Sequence, residues 1–168
     1  MKMHRTTFLL VVLFCSVTTS SCGNYLGDVT LQGRTGITLS ETGDMLIRVQ
    51  PCGLPIDVVD VSGPMEKTEK PQPNPVYLQV RDNEGRPDPF ILDPRNIESG
   101  WVVEVNKGLP TDLDEMIIIN SRIEGQNSQT SQVSALIGDV LALKEGMILT
   151  GSKSAGSRII DEEEFLAC

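Results

Sequence analysis

Histidine is nearly missing from this chain: the only one in 168 residues is His4. Beyond residue 4, therefore, Ser-His-Asp and Cys-His catalysis and histidine-ligated zinc sites have no material to work with. The phosphate-cradling pattern G-x-x-x-x-G-K-[ST], the dinucleotide pattern G-x-G-x-x-G after a strand, and S-x-x-K are also absent, which removes the nucleotide-binding and penicillin-interacting classes. Aromatic residues make up 4% of the sequence, so sugar-stacking platforms are scarce. Basic residues number 14 against 23 acidic ones, a net charge of −9 that disfavours nucleic acid and anionic lipid headgroups.

Long apolar runs are scarce too, and the one that exists lies at the start. Lys2 and Arg5 precede Phe8-Leu9-Leu10-Val11-Val12-Leu13-Phe14, and small residues lead on to Cys22. The run is too short to cross about 30 Å of hydrocarbon, which takes roughly 20 apolar residues. A charged start, a short apolar core and small residues are the parts of a signal peptide, expected here over residues 1–21. The residues ahead of the cysteine, Thr18-Thr19-Ser20-Ser21, with Gly23 after it, resemble the lipobox of bacterial lipoproteins. Thr19 stands where that family usually has leucine. The resemblance implies that Cys22 receives a diacylglyceryl group and becomes the first mature residue, held by acyl chains on the outer face of the membrane; secretion without an anchor is the alternative. Cys15 does not suit the role, because bulky Phe14 precedes it.

Loss of the leader removes two basic residues and no acidic one, so the mature part carries a net charge of −11. It also removes Cys15. If lipid occupies Cys22, the remaining thiols, Cys52 and Cys168, make a natural disulfide in an oxidising compartment. Such a bond closes a loop of about 100 residues, worth up to ~4–5 kcal/mol in the chain-entropy model. The alternative is two buried, reduced thiols.

The mature chain has the length of one domain. Gly23 to Gly36 is polar and glycine-rich and reads as a tether over residues 22–36. Residues 37–168 then carry short β-type runs separated by turn residues: Ile37-Thr38-Leu39, Met45 to Val49, Ile56 to Val61, Val76 to Val80, Phe90-Ile91-Leu92, Trp101 to Val105 and Met116 to Ile119. Turns are expected at Glu41 to Asp44 and Asp82 to Gly85. β-Branched strands at this spacing indicate an all-β fold, a single antiparallel β-sandwich of immunoglobulin-like general architecture with at most one short helix. Val133, Leu136, Ile137, Val140 and Leu141 fall at helical spacing, but Gly138 interrupts them, at about 1 kcal/mol relative to alanine. The preferred reading is a strand near Ser131 to Leu136, a helical turn at Val140 to Lys144 and a strand at Met147 to Thr150; one real helix is the alternative. Residues 63–75, rich in proline, read as a surface loop.

Carboxylates are the chemistry that remains. Asp112, Asp114 and Glu115 follow Leu109-Pro110 in a loop and offer hard oxygen ligands to Ca²⁺, although their spacing matches no complete ligand loop and an acidic surface is the plainer reading. Asp161 to Glu164 is a like-charge run suited to keeping a terminal strand from edge pairing. Gly151 to Ser157 reads as a hairpin loop rather than an anion cradle, and Trp101 as a core residue. Gln50-Pro51-Cys52-Gly53, Ser99-Gly100-Trp101-Val102-Val103-Glu104 and the ending Glu164-Phe165-Leu166-Ala167-Cys168 resemble small exported proteins of actinobacteria, a group with no assigned activity to transfer. No catalytic residue and no cofactor are assigned. The expected role is a non-enzymatic lipoprotein that meets the membrane through its lipid, binds an envelope protein, polymer or small ligand through its loops, and avoids nucleic acid. A carboxylate-dependent hydrolase is the alternative, and it requires two acidic side chains facing one another in a cleft.

Overall fold

The computed structural model describes residues 29–65, 72–152 and 154–168. The expected leader and Cys22 lie outside these residues, as do residues 66–71 of the proline-rich loop. The fold is all-β. Eleven strands run in the order β1 (Thr30–Leu39), β2 (Met45–Gln50), β3 (Ile56–Ser62), β4 (Val76–Arg86), β5 (Phe90–Leu92), β6 (Trp101–Asn106), β7 (Met116–Arg122), β8 (Ser128–Ser131), β9 (Val133–Leu136), β10 (Ile148–Ser152) and β11 (Gly156–Ile160). Two five-residue helices, α1 (Ile137–Leu141) and α2 (Glu162–Leu166), complete the described chain, one more than the single helix expected. Among the described residues no helix is long and apolar enough to cross a membrane.

All eleven strands belong to one hydrogen-bonded sheet, in which β11-β10-β1-β8-β7-β3-β4-β6 form a continuous path, β2 pairs with β1 and β5, and β9 pairs with β7. The pairing is antiparallel except between β1 and β8, which run parallel from Thr30 opposite Ser128. The sheet curls, and its β5 and β6 edges meet through side chains: the rings of Phe90 and Trp101 lie 5.6 Å apart, and the Arg86 guanidinium stacks over both, 4.5 Å from the centre of Trp101. Trp101 is buried, as expected of a lone tryptophan in a β-fold.

Alternation explains what the curl encloses. Along β7, Ile117, Ile119 and Ser121 point one way and are fully buried, while Ile118, Asn120 and Arg122 point the other. Ile37, Ile47, Val49, Val59, Val61 and Val80 add the matching inner faces of β1 to β4. Burial at about 25 cal/mol per Å² of apolar surface makes this face the main stabilising term. Three hydroxyls are buried with it on neighbouring strands. Thr35 Oγ1 donates to Ser121 Oγ at 2.9 Å and contacts Thr130 Oγ1 at 2.6 Å. A slip of one residue in β1, β7 or β8 would break this trio as well as expose the apolar face, so it fixes the register.

The structure differs from the sequence reading in two local respects and stays close to it in a third. β1 begins at Thr30, so the last seven residues of the expected tether are strand. The cause is β8, a four-residue strand of Ser, Gln and Thr that shows no apolar alternation but pairs with Thr30, Leu31 and Arg34. β4 runs through the expected turn at Asp82 to Gly85. Asp82 Oδ1 accepts from the amides of Glu84 and Gly85, and the strand regains β3 where Arg86 lies opposite Ile56. Around Gly138, strand β9, helix α1 and strand β10 follow one another, close to the preferred reading, and Gly138 sits against the Leu113 carbonyl, where a Cβ would come within 3.2 Å.

Candidate functional site

The curled sheet has two ends of opposite character. At one lie the start of β1, the Pro51 to Pro55 turn and the last residues of the chain. Cys52 and Cys168 are joined there by a disulfide, with Cα atoms 5.7 Å apart, across 116 positions of sequence. Cys52 adopts φ 52°, left-handed backbone in a tight turn before Gly53. The C-terminal segment is held by more than the bond. Arg34 donates to the carbonyls of Glu164 (2.9 Å) and Ala167 (2.7 Å), and Gln50 Nε2 donates to that of Leu166. Asp161 caps α2 by accepting from the Glu164 amide at 2.8 Å, and Arg48 pairs with Glu162. The like-charge run at Asp161 to Glu164 is therefore the first turn of a helix, where carboxylates suit the exposed N–H groups. Phe165 is 1% exposed and fills a small apolar cluster with Ile148 and Ile160.

At the opposite end the sheet opens. Leu39 lies opposite Met45 across the β1–β2 turn, and residues of that turn, of the segments 94–95 and 106–111 and of α1 surround the opening. Between them is a cleft of about 520 Å³. Met45, Ile137 and Val140, all buried, form its floor; Leu109, Pro110 and Leu141 form its sides. Arg95, Asn106 and Thr111 supply polar atoms at the rim. The volume lies within the range of about 300–1,000 Å³ usual for small-molecule sites, and the mouth of a curled sheet is a common place for one.

The rim is tightly built. Asp93 Oδ1 accepts from the Arg95 amide at 2.9 Å, and the Arg95 guanidinium pairs with Asp44, whose other oxygen accepts from Thr42 Oγ1 at 2.7 Å. Asn106 Oδ1 accepts from the Gly108 amide at 3.2 Å, turning the chain after β6 through a glycine with φ 80°.

The acidic loop proves to be a brace of this opening. Asp112 Oδ1 accepts from the Asp114 amide at 3.0 Å, an aspartate turn, and Glu115 accepts from the Tyr77 hydroxyl. The carbonyls of Glu115 and Leu113 in turn accept from the amides of Ile137 and Gly138, at 3.0 and 2.9 Å, which fixes the start of α1. Asp112, Asp114 and Glu115 thus do not converge. Among the described residues no group of three or more carboxylate, cysteine or histidine side chains is arranged to hold a metal. At the expected hairpin loop, β10 and β11 pair antiparallel, with Gly151 opposite Ser157 and Ser152 opposite Gly156.

No part of the chain matches a protein-family description, a curated protein or a solved structure. The geometry alone must therefore identify the site.

A second group of polar residues lies on the outer face of β3, β4, β6 and β7. Arg81 Nε pairs with Glu104 at 2.7 Å and its guanidinium also meets Glu124. Asp60 accepts from Asn120 at 3.2 Å and lies 3.5 Å from Arg122. Burial raises the Asp60 carboxyl above the ordinary range, and Asn120 and Arg122 only partly offset it. Asp57 is raised by burial too, against Arg81. Asp82 is lowered, by its hydrogen bond from Arg86 at 2.7 Å. Perturbed carboxyls are a signal of active sites when they line a cleft. Here Asp60 is held by Asn120 and Arg122 of the neighbouring strand, Asp82 by Arg86 of its own strand and Asp57 by the Glu124 amide, and none of the three lines any of the four best-formed clefts among the described residues. Sequence reasoning did not find Arg95 or Asn106. The usable signals were Asp93-Pro94-Arg95 and Asn106-Lys107-Gly108, two turn sequences each carrying a polar side chain between apolar segments.

Proposed function

We propose that this protein is an exported lipoprotein, held on the outer face of the membrane through lipid on Cys22, and that its β-domain is a non-enzymatic module binding a small apolar ligand in the open-end cleft. The observation that carries the reading is where the cleft lies relative to the start of β1. Thr30 is at the disulfide end and Leu39 at the open end. Nine steps of about 3.3 Å separate them by roughly 30 Å. A tether leaving the domain at Thr30 holds the disulfide end toward the bilayer, and the cleft then faces outward, where envelope components reach it. The strongly negative body, repelled by anionic headgroups, supports a domain that stands off the membrane surface.

Binding rather than hydrolysis suits the cleft because its floor is apolar and no acidic side chain lines it. A carboxylate-dependent hydrolase needs two carboxyls across the substrate. The test is the intact mass of the protein extracted from its native membrane. The expected species begins at Cys22, carries a diacylglyceryl group and lacks the two thiol hydrogens of Cys52 and Cys168. A full-length, unmodified, reduced chain would overturn the reading.

A further inference from the structure

The chemistry of the open-end cleft changes from floor to rim. Met45 and Val140 at its base are 8% and 1% exposed, carbon surfaces that favour an apolar body. Arg95, at the mouth, has 73% of its side chain exposed and is the one formally charged residue among those lining the cleft. Asp44 engages Nη1 of the guanidinium from one side. An arginine carries five N–H donors in a planar fork that matches a carboxylate or phosphate with two parallel hydrogen bonds. Asp44 thus steadies the side chain while competing for its charge. Asn106 and Thr111, uncharged, add polar atoms beside it without repelling an anion.

We infer that the ligand is an anionic amphiphile, its apolar body lying on Met45, Val140 and Leu141 and its carboxylate or phosphate group held by Arg95. This rests on reading the cleft as the binding face and names the chemical class it takes. The cation at the mouth and the apolar floor behind it account for that class together: a neutral hydrocarbon leaves Arg95 unused, and a cation is repelled by it.

The experiment titrates the full-length chain, with its disulfide closed, with octanoate, octyl phosphate, octanol and octylammonium by calorimetry. The two anions are expected to bind about tenfold tighter than octanol, a margin suited to one charge-assisted contact, with octylammonium weakest. Octanoate ahead of octyl phosphate assigns a carboxylate headgroup, and the reverse order a phosphate. Arg95→Gln should erase the margin while octanol binding persists. Asp44→Asn, which removes the competing carboxylate, should tighten octanoate several-fold. Leu141 is 52% exposed and makes few demands on folding, so Leu141→Glu gives a folded protein whose cleft repels the anion, with octanoate affinity about tenfold lower or less. Equal affinity for octanol and the anions, indifference to Arg95→Gln, or indifference to Leu141→Glu would overturn the inference. The mass measurement on the membrane-extracted protein is independent of these titrations, so the anchor and the ligand class fail separately.

Discussion

The disulfide end and the open end are built from the same sheet but solve opposite problems. At the first, every device adds constraint: a covalent bond, an arginine on two carbonyls, a capped helix and a phenylalanine pressed against Gly36, where a Cβ would come within 2.8 Å of its ring. At the second, loops are braced by single hydrogen bonds around a space that remains open. Beyond the shared core inside the curl, the extra constraints gather at the disulfide end, and the far end keeps an apolar cleft.

The largest effect is expected from removing the covalent constraint. Replacing both Cys52 and Cys168 with serine frees a loop of 116 positions and should lower stability by about 5 kcal/mol in the chain-entropy model, read as a shifted denaturant midpoint. If the ends are as separate as the geometry implies, octanoate affinity at the open end should change little under conditions where the variant is folded. Phe165→Ala comes next. Its ring is fully buried on Ile148 and Ile160, and truncation should cost about 3 kcal/mol. In the oxidised protein the disulfide keeps α2 near its seat, so the cost should fall on stability while Cys52 and Cys168 stay paired by mass.

Much of the stapled end was readable in the amino-acid sequence, because its signals are local or arithmetical. Setting aside Cys15 with the expected leader and Cys22 with the expected lipid left Cys52 and Cys168 as partners, and β-branched alternation outlined the strands from Ile37 to Ile119. The polar strand Ser128–Ser131 was not readable: its place in the sheet comes from a parallel pairing with β1, and nothing in Ser-Gln-Thr-Ser announces it. The immunoglobulin-like arrangement belongs to the same class of question. Strand spacing bears on it weakly, since the same alternation serves separate sheets or one curled sheet, and the pairing here runs through all eleven strands. At the open end, Asp112, Asp114 and Glu115 drew attention by charge, whereas the contacts this loop makes with α1 come from the backbone carbonyls of Leu113 and Glu115. The cleft combines Met45, Arg95, Asn106 and Ile137 from four distant segments, a juxtaposition that only the curl creates.

Smaller effects separate two carboxyls on neighbouring strands. Asp82 is lowered by its bond from Arg86, so its folded form holds a proton less tightly than the unfolded chain. Its contribution is present above the ordinary aspartate value of about 3.9 and is lost as pH falls through its lower folded value. Asp60 is raised by burial, so the folded form holds its proton more tightly. Its contribution is complete below the ordinary value and is lost as pH rises through the raised one. The stability difference between Asp82→Asn and the native protein should therefore become more unfavourable as pH rises from 3 toward neutrality. For Asp60→Asn the difference should become more favourable over the window above about 4. Chemical denaturation across that pH range reads both. Parallel trends would mean that burial does not dominate at Asp60.

The smallest effect on stability is expected at the open end itself. Leu141 is 52% exposed beside the cleft, and a substitution there away from caps and buried partners should stay within about 0.5 kcal/mol. Leu141→Glu joins that near-silence in unfolding to a large loss of octanoate affinity, the reverse of the Cys52 and Cys168 pair, which loses stability and keeps binding. The two variants form a crossed test. If Leu141→Glu instead lowered the unfolding midpoint as much as Phe165→Ala does, the side chain would be supporting Ile137 and Val140 as core. The cleft would then be a packing defect in the sheet's end rather than a site held open for a ligand.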